Sequence, residues 1–318
     1  MSTTVLITAG GTGSAFRLSE TVKQHFPGYR LVISDTNPEE LVASAVNADV
    51  FYRVPPVKEN GYKEHMYGLL KECGADVIIP LIPWEQEFFA PDCSEFAALG
   101  VKSAAAELKT LGLNDKKRLY EICASLDIPT VPLLTYGSIP EGERIIVKER
   151  SGFGSLGIRR MKAGELGADP GDGYVIQPDL SGKGSFPDAV EEVTLECVLS
   201  AGKLYTIARR RLEAKGGVCT KADFLPAEAF IGAAEKLTKA FAFPPAFNLQ
   251  FVHAGDEWLL MDVNLRLAAG GSASEAAGFQ ISRALVALLT GKEADSAWLK
   301  RDESVKTVLR VYREVVVR

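Results

Sequence analysis

The feature that most restricts the fold is the rhythm of the first hundred residues. Four short apolar runs, Thr4–Thr8, Tyr29–Ser34, Phe51–Val54 and Asp76–Leu81, alternate with helix-period segments at 14–25, Glu39–Val46 and Tyr62–Cys73. The connecting turns are short, so successive strands run parallel with helices covering the sheet. The last run, DVIIPL, is apolar enough to be buried on both faces. Ligands of such sheets sit beyond the carboxyl ends of the strands. Those ends carry Gly10, Gly11, Asp35 and the segment Pro83–Glu87.

The pattern changes near residue 100. Ala104–Leu111 and Asp115–Leu126 read as helices, the second ended by Ile128-Pro129. Strand signals follow at 144–148, 174–179, 191–199, 203–208, 247–253 and 257–263. Their gaps are too short for crossover helices, so antiparallel pairing suits them. Helices are expected at 227–241 and 279–290. The chain therefore divides into an open α/β domain (1–105), a small middle unit (106–180) and an α+β unit (181–318). With 47% hydrophobic and 24% charged residues, it has material for sizeable cores and is neither a disordered tail nor a fibre. The net charge of -5 argues against non-specific nucleic-acid binding and against an anionic membrane surface. The five cysteines (73, 93, 123, 197 and 219) form no CxxC pair, so the plain expectation is reduced thiols in a cytoplasm. No apolar run approaches the ~20 residues of a spanning helix, and the N-terminus shows no secretory-leader pattern.

Four segments carry candidate chemistry. In IIVKERSGFGSLGI (Ile145–Ile158) a strand delivers Lys148 to a loop holding Ser151, Gly152, Gly154, Ser155 and Gly157. Such a loop lets the backbone approach phosphates closely. It is not a Walker loop, because the lysine precedes the glycines; the alternative is a glycine-rich hairpin with an incidental lysine. In FNLQFVHAGDEWLLMDVNLR (Phe247–Arg266) two strands meet at Ala254-Gly255-Asp256. Alternation puts Asn248 with Gln250 on one face, and Asp262 with Asn264 and Arg266. Oxygen donors from Gln250, Asp262 and Asn264 suit Mg²⁺, and Arg266 suits a phosphate or carboxylate. The alternative is a solvated polar face. In ARRRLEAKGGVCTK, Arg209, Arg211 and Lys215 fit either a polyanion or an exposed basic edge that resists aggregation. Finally, GYVIQPDL and EEVTLECV are apolar strands with acids at their edges, where an acid can accept from ribose hydroxyls or simply face solvent.

In this order the segments resemble an ATP-grasp enzyme, and more closely the carbamoyl-phosphate-synthase large-subunit-like branch. The resemblance runs from Val5 to about Lys292. It rests on Asp35-Thr36-Asn37-Pro38, on Ala48-Asp49, on the proline-rich strand end Pro80–Glu87 and on Asp115-Lys116. It rests also on VKERSGFGSLG, on Asp262-Val263-Asn264-Leu265-Arg266 and on GFQISRALVALLTGK. Asp262 stands where the family usually has Glu, and Leu265 where it has Pro. The resemblance implies ATP and Mg²⁺ as cofactors, with Mn²⁺ as a substitute. Lys116 and Lys148 would meet the phosphates under loop 151–157. Gln177, Pro178, Asp179 and Leu180 would form the strand against adenine, and Glu192 would take the ribose. Gln250, Asp262 and Asn264 would hold the metal. Arg266 would face the γ-phosphate, with Arg209, Arg211 and Lys215 on phosphate or substrate.

The implied reaction activates a carboxylate as an acyl phosphate and couples it to an amine, releasing ADP and phosphate. Small-molecule acids and amines are then the partners, in a homodimer formed through the first domain. The substrate pocket is expected between the first domain and the metal strands, near Glu85, Trp84 and Phe88–Phe89. The alternatives are a non-catalytic ATP-binding protein and a phosphoryl-transfer enzyme that makes no amide. A dinucleotide-dependent oxidoreductase is weaker, because Gly10-Gly11-Thr12-Gly13 lacks the full glycine fingerprint.

Overall fold

The computed structural model describes residues 2–90, 93–152, 157–183 and 190–316, with the side chains of 93 and 94 left out. In chain order, β1 (Thr4–Ile7), α1 (Gly13–His25), β2 (Arg30–Asp35), β3 (Val50–Arg53), α2 (Tyr62–Cys73), β4 (Val77–Ile79), α3 (Pro83–Phe89), α4 (Cys93–Ala98) and β5 (Lys102–Ser103) build the first unit. Its sheet is parallel, in the order β3-β2-β1-β4-β5. Alternation explains how it is covered. Val5, Ile7, Leu31, Ile33, Val77 and Ile79 enter one core, while Leu6, Val32 and Ile78 enter another on the opposite face with α2.

The expected helix at Glu39–Val46 is instead two 3-10 turns, Glu39–Leu41 and Ala43–Asn47. They are short because Pro38 starts them and Val42 between them is extended, its side chain buried in the core. The helix expected at Ala104–Leu111 shrinks to α5 (Leu108–Leu111). The strand β5 just before it uses residues 102–103 to close the sheet edge. Next come α6 (Lys116–Ser125), β6 (Arg144–Glu149), β7 (Arg159–Lys162) and β8 (Tyr174–Pro178). These three strands form an antiparallel sheet ordered β7-β6-β8.

The remainder is β9 (Glu192–Ser200), β10 (Lys203–Lys215), β11 (Val218–Leu225), α7 (Glu228–Ala240), β12 (Ala246–Ala254), β13 (Glu257–Asn264), α8 (Gly271–Ala276), α9 (Ile281–Leu289) and β14 (Thr307–Leu309). The strands form an antiparallel sheet, β13-β12-β9-β10-β11-β14. Strand β10 runs well past the expected residue 208, because β11, unforeseen in the sequence, pairs with its second half.

The six-stranded sheet has one greasy face and one polar face. Val193, Leu195, Cys197, Phe247, Leu249 and Phe251 pack into a core with Phe230, Ala234 and Leu237 of α7. Their chain neighbours Glu192, Thr194, Glu196, Asn248 and Gln250 therefore point the other way. A register shift between Gln250 and Phe251 leaves Met261 as the extra residue. This bulge lets Leu260 face the core while Asp262 and Asn264 face the polar side. The four described cysteines are free and buried. Among the described residues, no helix is long and apolar enough to cross a membrane.

Candidate active site

The polar face is organised in rows across the strands. Arg209, Thr194, Gln250 and Asp262 stand opposite one another on β10, β9, β12 and β13. A second row holds Glu196, Asn248 and Asn264, and Arg211 faces Glu192 in a third. With strands ~4.8 Å apart, Arg209 and Asp262 close the two ends of one row. A cavity of about 210 Å³ opens above these rows. Lys116, Lys148, Glu149, Gly152, Gly216, Gly217 and Arg266 also line it.

Each cation is delivered by a local device. Asp115 caps α6 by accepting from Lys117 N at 2.9 Å and is ion-paired with Arg150. This places the next residue, Lys116, against the end of β6. Lys116 Nζ donates to the carbonyls of Arg150 (3.3 Å) and Gly152 (3.2 Å) and lies 3.8 Å from Asp262. Lys148, on β6, is buried and makes no hydrogen bond or ion pair with the described residues. Burial pushes its ammonium down to about 8; Asp262 and Glu192 pull it up, and Lys116 pushes it further down. Arg266 Nη1 donates to Leu267 O at 3.1 Å. Burial lowers its guanidinium pKa against the pull of Asp262, yet an arginine stays charged at neutral pH.

The donors for a metal are oxygens. Asn264 Nδ2 donates to Asn248 Oδ1 (3.3 Å), leaving the Asn264 carbonyl oxygen unspent, and Asn248 in turn donates to Arg266 O (3.0 Å). Gln250 and Asp262 sit directly opposite each other. One carboxylate and two amide oxygens on adjacent strands fit a hard cation such as Mg²⁺ that shares phosphate oxygens.

Residues 189–311 match the family described as "ATP-grasp in the biosynthetic pathway with Ter operon", and residues 5–104 match "PylC-like, N-terminal domain". None of the curated protein sequences compared with it matches the chain. Among solved structures, it is similar to the biotin carboxylase domain of Hydrogenobacter thermophilus 2-oxoglutarate carboxylase, in complex with MgADP, ADP and bicarbonate. Identity is 18%, the TM-score 0.73, and the match covers 96% of this chain and 72% of that one. Campylobacter jejuni biotin carboxylase, bound to an ATP analogue, matches at 15% identity and TM-score 0.72, over 92% and 72% of the two chains.

The chain has the ATP-grasp fold.

Within the ATP-grasp frame, the expected residues divide. Lys116, Lys148, Gly152, Glu192, Arg209, Arg211, Gln250, Asp262, Asn264 and Arg266 line one cavity. Ser151 lies in a smaller adjoining cleft with Pro83, Gln86 and Glu87. Gly157 takes the left-handed conformation (φ +70°) that its place in the loop requires. Gly154 and Ser155 lie outside the described residues.

The expected adenine strand does not reach the cavity with its side chains. Gln177 is buried and donates to Tyr120 Oη (3.0 Å) and Val131 O (3.5 Å). Asp179 is ion-paired with Arg144 (3.0 Å) and Arg160 (3.4 Å), and Leu180 packs into the core beneath the large sheet. Pro178 belongs to β8, which pairs with β6 at Ile145. None of the four is among the residues lining the cavity. Lys215 also parts from Arg209 and Arg211. Two register irregularities between Arg211 and Ala214 turn it outward, where it is exposed 3.6 Å from Glu213.

Glu85 lines neither of these two cavities. It is buried and accepts from Thr8 Oγ1, and burial raises its carboxyl to about 7, with hydrogen bonds from Thr8 and two backbone amides opposing. Phe89 is buried in the core beside α2, and Phe88 packs edge-on against Tyr62. Trp84 stays exposed next to Lys58.

Sequence reasoning missed Glu196. Its carboxylate, fully buried, accepts from Arg209 Nη2 at 2.9 Å. The signal was present: Glu192, Thr194 and Glu196 alternate with Val193, Leu195 and Cys197 along one strand.

Proposed function

We propose that the chain is an ATP- and Mg²⁺-dependent ligase that activates a carboxylate and joins it to an amine. The observation that carries this reading is the meeting of Lys116, Lys148 and Arg266 around Asp262 on the polar face of the large sheet. Such a cluster suits a transferring phosphoryl group, for which the protein mainly positions and neutralises. The biotin carboxylase relatives, whose solved complexes hold MgADP or an ATP analogue, support it at the level of the fold. The finer likeness to the carbamoyl-phosphate-synthase branch rests on the motifs named above.

The metal would be held by Gln250, Asp262 and Asn264, and when bound it supplies charge neutralisation between the phosphates. Lys116 and Lys148 hold the nucleotide's phosphate oxygens, and Arg266 steadies the γ-phosphoryl group as charge moves. A carboxylate oxygen of the acid attacks the γ-phosphorus, and the bond to the ADP oxygen breaks. The amine then attacks the acyl carbon, phosphate leaves, and the amine's proton is lost to solvent. No serine, cysteine or histidine nucleophile is needed. Arg209 and Arg211 extend the positive floor toward the acid substrate. Because the Hydrogenobacter domain is described as a dimer, a homodimer is part of the proposal.

The deciding experiment is ADP release from MgATP against a panel of amino acids and small carboxylic acids, with and without an added amine. Release dependent on one acid, with an amide product by mass, is the expected result. A phosphate ester as the only product would make the chain a phosphoryl-transfer enzyme, and bound ATP without any turnover would make it a binder. Lys148→Ala and Asp262→Ala should each lower turnover by about 100-fold or more. Undiminished turnover in both variants would overturn this mechanism.

A further inference from the structure

The proposed metal donors include a single carboxylate. Gln250 and Asn264 are neutral amides, and Asp262 already has Lys116 Nζ at 3.8 Å. The other two acids of the cavity are elsewhere. Glu192 is held by Arg211 at 2.6 Å, and Glu149 lies against Gly152 at the end of β6. Neither shares a row with Asp262. Among the described residues, no group of three or more His, Cys, Asp or Glu gathers to hold a metal. Among the described residues, five cationic side chains line the cavity against three carboxylates, with a fourth, Glu196, buried against Arg209.

A bare divalent ion entering this space therefore meets more positive than negative charge, in surroundings that screen poorly. A nucleotide's polyphosphate reverses that balance and brings its own oxygen ligands. A second ion would need a second carboxylate within reach, or one arm long enough to bridge. Asp262 is the shorter of the two acids, and the amides beside it carry no charge.

We infer that this site takes one divalent ion, not two, and takes it only together with the nucleotide's phosphates. This rests on the nucleotide reading above. The test uses Mn²⁺ as the probe, counted on the full chain by electron paramagnetic resonance of the free ion. Binding of ADP and of a non-hydrolysable ATP analogue is followed in parallel by calorimetry, with and without chelator.

The expected result has three parts. The nucleotide-free chain retains no Mn²⁺. The chain saturated with either nucleotide retains one ion. Asp262→Asn still binds ADP in chelator, while the Mn²⁺ affinity of its ADP complex drops at least about tenfold. Two ions per chain with the ATP analogue, or an ion held without nucleotide, would overturn the inference and leave the nucleotide reading standing. An unchanged Mn²⁺ affinity in Asp262→Asn would overturn it too. Failure of either nucleotide to bind under all conditions would overturn the nucleotide reading, and the inference with it.

Discussion

Lys148 shows how burial sets the behaviour of a single site residue. Its ammonium has no partner among the described residues, and its pKa falls from 10.5 to about 8. The charged form, the one that binds phosphate, is present below about 8 and lost above it. ADP affinity should therefore fall as pH rises from 7 through 9, by about tenfold for the loss of one charge-assisted hydrogen bond. Titration calorimetry across that range measures it. Lys148→Arg, charged throughout, should flatten the profile, and a wild-type affinity independent of pH would contradict the burial argument. The sign for stability is opposite. Between about 8 and 10.5 the unfolded chain holds the proton that the folded chain has released, so this group's contribution to stability rises with pH.

At the scale of elements, the turn from β1 into α1 shows why its glycines are there. Gly10 sits where any side chain would collide: a Cβ would lie 2.5 Å from Ile33 Cγ2 and 3.0 Å from both Val42 Cγ1 and Ser44 Oγ. The irregular segment that replaced the expected helix supplies two of those atoms, Val42 Cγ1 from its extended middle residue and Ser44 Oγ from its second 3-10 turn, so it and the glycine turn lock each other. Ser44 Oγ also donates to Gly10 O at 2.7 Å. Gly10→Ala should cost about 1–3 kcal/mol, read as a lowered midpoint in urea unfolding. A midpoint within error of wild type would show that the segment gives way easily. This element was half legible. Three glycines after an apolar run announced a tight strand–helix turn, but Pro38 and Val42 decided how the facing segment folds. Likewise β11 was not foreseen and β10 was legible only over 203–208, because its second half is held as strand by pairing with β11.

At the scale of the molecule, the parallel sheet and the large antiparallel sheet share one core. Val5, Ile7, Leu18 and Val22 of the first unit pack in the same cluster as Ile281, Leu285, Val286 and Leu289 of α9 and Val198 of β9. The first unit thus borrows the cover of one face from the far end of the chain. A fragment of residues 1–105 should expose that face and fail to fold cooperatively. Poorly dispersed amide resonances and dye binding are the expected readings, while a well-dispersed spectrum would show that the unit stands alone. The sequence by itself determined the periodicities, and with them the strand types and the polar face of the large sheet. These depend on neighbours a few residues apart or on alternation within one strand. Only the tertiary structure decided that Gln177 and Asp179 turn to Tyr120, Arg144 and Arg160, that Lys215 points outward, and that Glu196 lies buried beneath Arg209. Each of these outcomes is a choice among partners brought together by strand pairing and bulges, and a polar side chain settles where its burial leaves it best satisfied.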